Sequence, residues 1–311
     1  MRARKAIVTG ASSMIGATLI RQLVSQGTEV LAIIRPRSEK ATNIPESPLI
    51  TCISCEISQL PSFPYWQTNQ QYDTFYHFAW AGTFGSMRDD VYLQHSNVRY
   101  TMDAIALASK LGCATFVGAG SQAEYGPKAN EKLSPNTPTS PVSGYGIAKL
   151  EAGRMGSIYA RQLGLRFIWA RVLSVYGPFD NPYTLVMSTI RKLLSGEKVH
   201  FTMGDQQWDY LYSEDAANAF RLIAEKGHDG AVYCVGSGKT ILLRDALTYL
   251  CQAIDPNQCV VFGDIPYLPN QVMYLCADTF TLSRDTGFNV QVSFDEGIRK
   301  TIAWSKEQKY Q

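Results

Sequence analysis

The stretch Lys5-Ala6-Ile7-Val8-Thr9-Gly10-Ala11-Ser12-Ser13-Met14-Ile15-Gly16, with the helical pattern after it, constrains this chain more than any other. Ala6 to Val8 is a short apolar run of the kind that forms a strand buried on both faces. A turn at Gly10 leads into a helix whose apolar face is Ile15, Leu19, Ile20, Leu23 and Val24. Gly27 stops that helix, and Glu29-Val30-Leu31-Ala32-Ile33-Ile34 reads as the next, parallel strand. The stretch therefore predicts a βαβ unit with small residues at its first turn. Such a loop brings unpaired helix N-terminal amides close to a pyrophosphate, where the helix dipole favours negative charge. Gly10, Ser12, Ser13, Met14, Ile15 and Gly16 are accordingly candidate cofactor-binding residues.

A chain of 311 residues suits one large domain or two closely joined ones. With 45% hydrophobic and 18% charged residues it has the composition of a soluble globular protein. A formal charge of +2 gives no reason to expect nucleic acid or an acidic membrane as partner. No run reaches the ~18 apolar residues needed to span a bilayer. The seven cysteines are odd in number and scattered, and no signal peptide is recognised, so a cytoplasmic protein with reduced thiols is expected. Cys52-Ile53-Ser54-Cys55 has CxxC spacing but no second pair to support a zinc site; no metal is expected.

The second strand ends at Arg35-Pro36-Arg37. An acidic residue there would accept from both ribose hydroxyls of NAD, whereas an arginine suits a 2′-phosphate. Arg35 and Arg37 thus favour NADP(H) over NAD(H); the plainer reading is two solvated loop charges. Leu49 to Ser54 and Asp73 to Trp80 read as the third and fourth strands. Trp80 falls at a strand's carboxyl end, where ligands lie in open α/β sheets, and either lines a pocket or packs. His77 reads as a satisfied core histidine. A helix over Asn97 to Ala108 stops by Gly112, and the strand Ala114 to Gly120 ends at Ser121. After a loop from Pro127 to Val142, a helix opens at Gly144-Tyr145-Gly146-Ile147-Ala148-Lys149; Leu165 to Val172 is a further strand. Gly238-Lys239-Thr240 is no phosphate loop, because Tyr233 holds the position that such a loop gives to glycine.

Thr9-Gly10-Ala11-Ser12-Ser13-Met14-Ile15-Gly16 resembles the T-G-x-x-G-x-x-G loop of the extended short-chain dehydrogenases/reductases, the nucleotide-sugar epimerase/dehydratase family, with Ser13 in place of the middle glycine. Asp73 to Trp80 resembles the family's D-x-V-x-H-L-A-A, and the helix from Asn97 its N-V-x-G-T-x-N-L-L-x-A-A. Ser174-Val175-Tyr176-Gly177-Pro178 is similar to N-x-Y-G-P, Gly204 to Asp215 to G-x-x-x-R-D-F-x-x-V-x-D, and Tyr233 to Gly238 to Y-N-x-G-S-G. The resemblance spans nearly the whole chain. It implies an α/β fold: a doubly wound parallel (Rossmann-type) sheet with a smaller C-terminal substrate-binding domain. Residues 1–172 would form the NAD(P)-binding domain, joined by segments near 213–236, and 173–311 mainly the substrate domain. It further implies that Glu56 and Ile57 lie beside the adenine, and that Phe78, Ala79, Trp80, Asn97, Tyr145 and Lys149 also meet the cofactor. Thr83, Gln122, Ser174 and Trp208 become candidate substrate contacts. A homodimer is implied through the helices starting near Asn97 and at Tyr145, where Met102, Ile105, Leu107, Met155 and Tyr159 offer apolar surface.

Ser121, Tyr145 and Lys149 form a proton-transfer set. Tyr145 and Lys149, at i and i+4, leave one helix face a turn apart. An ammonium close to a phenol favours phenolate and lowers its pKa toward neutrality. Tyr145 would then exchange a proton with a sugar hydroxyl or ketone while Ser121 holds the same oxygen. Relatives that dehydrate a nucleotide sugar carry Asp-Glu after the serine; Gln122 and Ala123 can neither give nor take that proton, which disfavours a 4,6-dehydratase. Trp208, Cys234 and Ser174 replace a family arginine and two asparagines. The leading reading is an NADP(H)-dependent reductase of a keto group on a nucleotide-linked sugar, with a nucleotide-sugar 4-epimerase as the alternative. Other carbonyl substrates stay open. A non-catalytic NADP-sensing protein is the reading outside enzymes, and the intact Ser-Tyr-Lys set speaks against it.

Overall fold

Alternation along the strands decides the architecture. In β1 (Lys5–Thr9) Ala6 and Val8 enter one core and Ile7 another; in β2 (Glu29–Ile34) Val30 and Ala32 enter the first, Leu31 and Ile33 the second. Strands apolar on both faces need helices on both sides of the sheet. The computed structural model, which describes residues 3–63, 71–128, 130–258, 260–269 and 271–309, has that arrangement. β3 (Ile50–Ser54), β4 (Thr74–His77), β5 (Thr115–Ser121) and β6 (Arg166–Val172) extend the sheet. β7 (Ser174–Tyr176), β8 (Gln207–Trp208) and β9 (Tyr210–Tyr212) leave it, and β10 (Val232–Val235) returns to pair with β6. The result is a seven-stranded sheet in the order β10-β6-β5-β4-β1-β2-β3, parallel throughout.

Helix α1 (Met14–Ser25) covers one face, while α2 (Val91–Lys110) and α3 (Gly144–Gln162) pack together on the other. Beyond β6 come α4 (Leu185–Leu194) and α5 (Ser213–Lys226), the latter lying beside α1. β11 (Ile241–Leu242), α6 (Leu243–Ile254), β12 (Tyr274–Leu275), α7 (Phe280–Thr286) and α8 (Phe294–Lys309) follow. A separate core around Tyr176, Ile190, Leu247 and Ile298 joins α4, α6 and α8.

Some expectations shift. α2 starts at Val91 rather than at Asn97, because Asp90 caps it by accepting from the Leu93 N–H at 3.0 Å. β4 ends at His77, so Phe78 to Trp80 lie past the strand, at the carboxyl edge of the sheet. His77 is buried against Thr9 Oγ1 at 2.8 Å, and burial pushes it down to about 3, so it stays neutral. Cys52 is exposed on the edge strand β3 and Cys55 is buried; neither is in a disulfide. Cys259 lies outside the described residues, as does Ala129 of the loop from Pro127 to Val142. Among the described residues no group of His, Cys, Asp and Glu could hold a metal, and no helix is long and apolar enough to cross a membrane.

Candidate active site

The turn after β1 is shaped by two glycines. Gly10 has φ +63°, and a Cβ there would lie 2.7 Å from the Ala79 backbone nitrogen, so only glycine lets the two strand ends approach. A Cβ on Gly16 would strike the Gly10 carbonyl. Ser13 sits at φ −73°, where no glycine is needed, and its hydroxyl caps α1 by accepting from the Gly16 N–H at 3.2 Å. Such a cap is worth about 1 kcal/mol, which accounts for serine at this place. The first intrahelical bond runs from Ala17 N–H to the Ser13 carbonyl, so the N–H groups of Met14 and Ile15 lie ahead of it. Asn43, which the sequence did not single out, donates to the Ser12 carbonyl at 2.9 Å and fixes the loop.

This loop forms one end of a groove of about 360 Å³, with Gly10, Ser12 and Ser13 in its wall. Glu56, Ile57 and Arg35 line another part, and Phe78, Ala79 and Trp80 a third. Two expected contacts are corrected. Arg37, exposed at φ +55° in the turn after Pro36, is outside the lining; Lys40, on the 3-10 helix Glu39–Asn43, joins Arg35 instead. Asn97 is fully buried and spends its amide on Ala81, accepting from its N–H and donating to its carbonyl, both at 2.9 Å. It holds the wall from behind rather than facing the groove.

Ser121 closes β5, and Tyr145 lies in the first turn of α3, whose N-cap is Ser143. The Ser121 side chain is near enough to Tyr145 to favour its ionised form. Lys149 Nζ donates to the Ala119 carbonyl at 2.7 Å, lies 3.7 Å over the Trp80 ring, and stands 5.8 Å from the Tyr145 ring centroid. Trp80 donates to Gln94 Oε1 at 2.9 Å and meets the Tyr145 ring edge-on, so it both lines the groove and packs. Burial pushes the Lys149 ammonium down to about 7, opposed by the charge of Glu124. Tyr145 is raised by burial, against the lowering effects of Ser121 and of Arg88; Glu124 adds to the rise. The Lys149 ammonium bonds Ala119, lies over Trp80 and, farther off, over the Tyr145 ring, and Arg88 is a second cation over that ring, with Cζ 4.3 Å from the centroid.

Behind Ser121 lies a carboxylate that sequence reasoning passed over. Glu124, with no exposed surface, accepts from Ser121 N–H at 2.8 Å, Trp169 Nε1 at 2.9 Å and Arg171 Nε at 2.6 Å. Burying a charge is costly unless it is paired and bonded, and all three partners supply that. The Ser-x-x-Glu spacing of a capping box was the available signal, and the capping box is present.

On the substrate side, Trp208 donates its indole N–H to Ser174 Oγ at 2.7 Å. Two of the three departures from the family pattern, Trp208 and Ser174, are thus one coupled pair. Both line a second cavity of about 310 Å³ with Asp180, Gln206 and Tyr210, and no Lys or Arg is in that lining. Burial raises the Asp180 carboxyl to about 6. Thr83 is exposed and Gln122 lies in the 3-10 turn after Ser121; neither lines this cavity. Cys234 is buried against Tyr125 Oη at 3.0 Å.

Comparison with known proteins fits this geometry. The model of the NAD dependent epimerase/dehydratase family matches residues 6–236. The chain is 24% identical to a trifunctional UDP-glucose 4,6-dehydratase/UDP-4-keto-6-deoxy-D-glucose 3,5-epimerase/UDP-4-keto-L-rhamnose-reductase of Arabidopsis thaliana, over 96% of this chain and 46% of that protein. It thus spans about half the length of that relative. It is 22% identical to the CDP-abequose synthase of Salmonella muenchen, over 96% of this chain and 97% of the other. Among solved structures, a UDP-glucose 4-epimerase of Thermotoga maritima with UDP-glucose shares the fold with a TM-score of 0.87, at 23% identity over 98% of this chain and 99% of that one.

Proposed function

The chain belongs to the NAD dependent epimerase/dehydratase family, and on that premise we propose that it is an NADP(H)-dependent reductase of a keto group on a nucleotide-linked sugar. The observation that carries the reading is the placement of Tyr145 and Lys149 against Trp80, in the wall of the Gly10 groove. The residues fit a dinucleotide: the tight Gly10 approach leaves room for a pyrophosphate at the amides of Met14 and Ile15, and Arg35 with Lys40 suits a 2′-phosphate. When bound, the nicotinamide supplies the hydride. Tyr145 Oη gives its proton to the carbonyl oxygen, which becomes the hydroxyl, and solvent restores the phenol. Ser121 Oγ holds that oxygen in line. Gln122 and Ala123 offer no carboxyl for eliminating water. The relatives' names support the nucleotide-sugar class. Residues 1–172 with 213–236 would hold the cofactor, and the rest, with Ser174 and Trp208, the substrate.

Native mass spectrometry of the purified protein, followed by NADPH oxidation with nucleotide-linked keto sugars, tests the assignment. Stoichiometric oxidation is expected. Interconversion of two sugars without net oxidation would make it an epimerase, and neither activity would overturn the nucleotide-sugar reading.

Arg35→Asp is expected to weaken NADP(H) at least tenfold while sparing NAD(H), because one charge-assisted pair contributes about 1.5–3 kcal/mol. Isothermal titration with both cofactors checks this; equal losses would make Arg35 a bystander.

A homodimer is proposed through α2 and α3, where Met102, Ala106, Met155, Ile158 and Tyr159 line an open surface cavity and Ile158 is 59% exposed, whereas Ile105 and Leu107, expected at this surface, are buried in the protomer's own core. Light scattering should give a dimer at micromolar concentration and a monomer for Ile158→Glu. A monomeric parent would rule the interface out.

A further inference from the structure

We propose that Arg88 is a positioning residue whose guanidinium, held over the Tyr145 ring, favours the phenolate and so sets the ionisation of the proton-transfer group. The proposal rests on the reading of Tyr145 given above. The guanidinium carbon is 4.3 Å from the ring centroid, nearer than Lys149 Nζ at 5.8 Å.

This placement is built rather than incidental. Arg88 lies on the 3-10 helix Gly85–Asp89, and its Nη1 donates to the Thr83 carbonyl at 3.3 Å. Gln94, itself buried, donates from Nε2 to the carbonyls of Gly82 at 2.8 Å and Met87 at 2.9 Å. Asp89 Oδ1 accepts from the N–H of Gly144 at 3.0 Å, which ties this segment to the residue before Tyr145. The residues beside Arg88 and Tyr145 are therefore tied to each other by the Asp89 carboxylate on the Gly144 N–H.

The physical effect follows from where a phenolate keeps its charge. Ionisation spreads negative charge from the oxygen onto the ring carbons, so a cation over the ring face attracts the ionised form more than the neutral one. The other polar and charged groups facing Tyr145 do not replace it. Ser121 carries no charge, and Lys149 Nζ, which bonds Ala119 and lies over Trp80, is farther from the ring than Arg88. Glu124 opposes ionisation, and Asp89 is on the Gly144 N–H. Burial raises the phenol, and Ser121 and Arg88 both work against that rise.

The test is a pH titration of the full chain carrying tyrosine labelled with carbon-13 at the ζ position, with the Tyr145 resonance identified by its loss in Tyr145→Phe. Arg88→Met should raise the Tyr145 midpoint by about one unit or more, a tenfold loss in ionisation constant. Arg88→Lys keeps the charge and should move the midpoint less than half as far. Thermal melting checks folding, and Arg88→Gln carries the test if Arg88→Met does not fold. A midpoint unchanged in Arg88→Met overturns the proposal. So does an equal shift in Arg88→Lys, or a parent protein whose Tyr145 fails to ionise before alkaline unfolding. The readout needs no substrate, so a wrong substrate class leaves it intact.

Discussion

Tyr145→Phe is expected to lower turnover by about 10²–10⁴-fold, the usual contribution of a general acid. The substitution removes Oη, the proposed proton donor, and keeps the ring that Trp80 meets edge-on and Arg88 covers. Cofactor affinity should therefore stay close to that of the parent. Single-turnover kinetics with the identified substrate, beside a cofactor titration, separates the two effects. Parental turnover in Tyr145→Phe would mean that the proton comes from elsewhere.

Glu124→Ala should cost about 3–5 kcal/mol of stability, the scale for removing one partner of a buried ion pair. Arg171, with a side chain 6% exposed, would keep its charge without the carboxylate. The Ser121 N–H and the Trp169 indole N–H would lose their acceptor as well. Glu124→Gln restores an acceptor oxygen but not the charge, and should cost less. Urea unfolding measures both, and a loss below about 1 kcal/mol in Glu124→Ala would put the pair among those worth little, as exposed ion pairs are. Because Glu124 also anchors the backbone of Ser121, the Glu124→Gln protein should bind cofactor normally.

The two changes bear on different parts of the site, and they separate what each kind of information supplies. Tyr145, Lys149 and Ser121 were legible because their spacing is local: one helical turn for the first two, and a strand end for the third. The Gly10 loop was legible for the same reason, as strand, turn and helix follow one another in the chain. The doubly wound sheet was implied by the family resemblance, and its strands are apolar on both faces, as the runs at Ala6–Val8 and Val30–Ile33 read.

What stayed hidden are contacts between residues far apart in sequence. Nothing within a window of residues around Glu124 announces Arg171 and Trp169, which arrive on the neighbouring strand β6. Arg88 reads as a loop charge until Asp89 ties its segment to Gly144. Lys40 joins Arg35 only because the short helix Glu39–Asn43 brings it back to the groove, and Arg37 misses it. The sequence by itself determined the βαβ order and pointed to the Gly10 loop and to Ser121, Tyr145 and Lys149 as candidates, since each reading depends on neighbours within a turn or a strand. Tertiary structure alone placed Arg88 over the Tyr145 ring and the Lys149 ammonium on the Ala119 carbonyl. It also decided that Asn97 braces Ala81 instead of meeting the groove. Those outcomes depend on burial and on distances between elements, and electrostatic effects change with both far more than local propensities do.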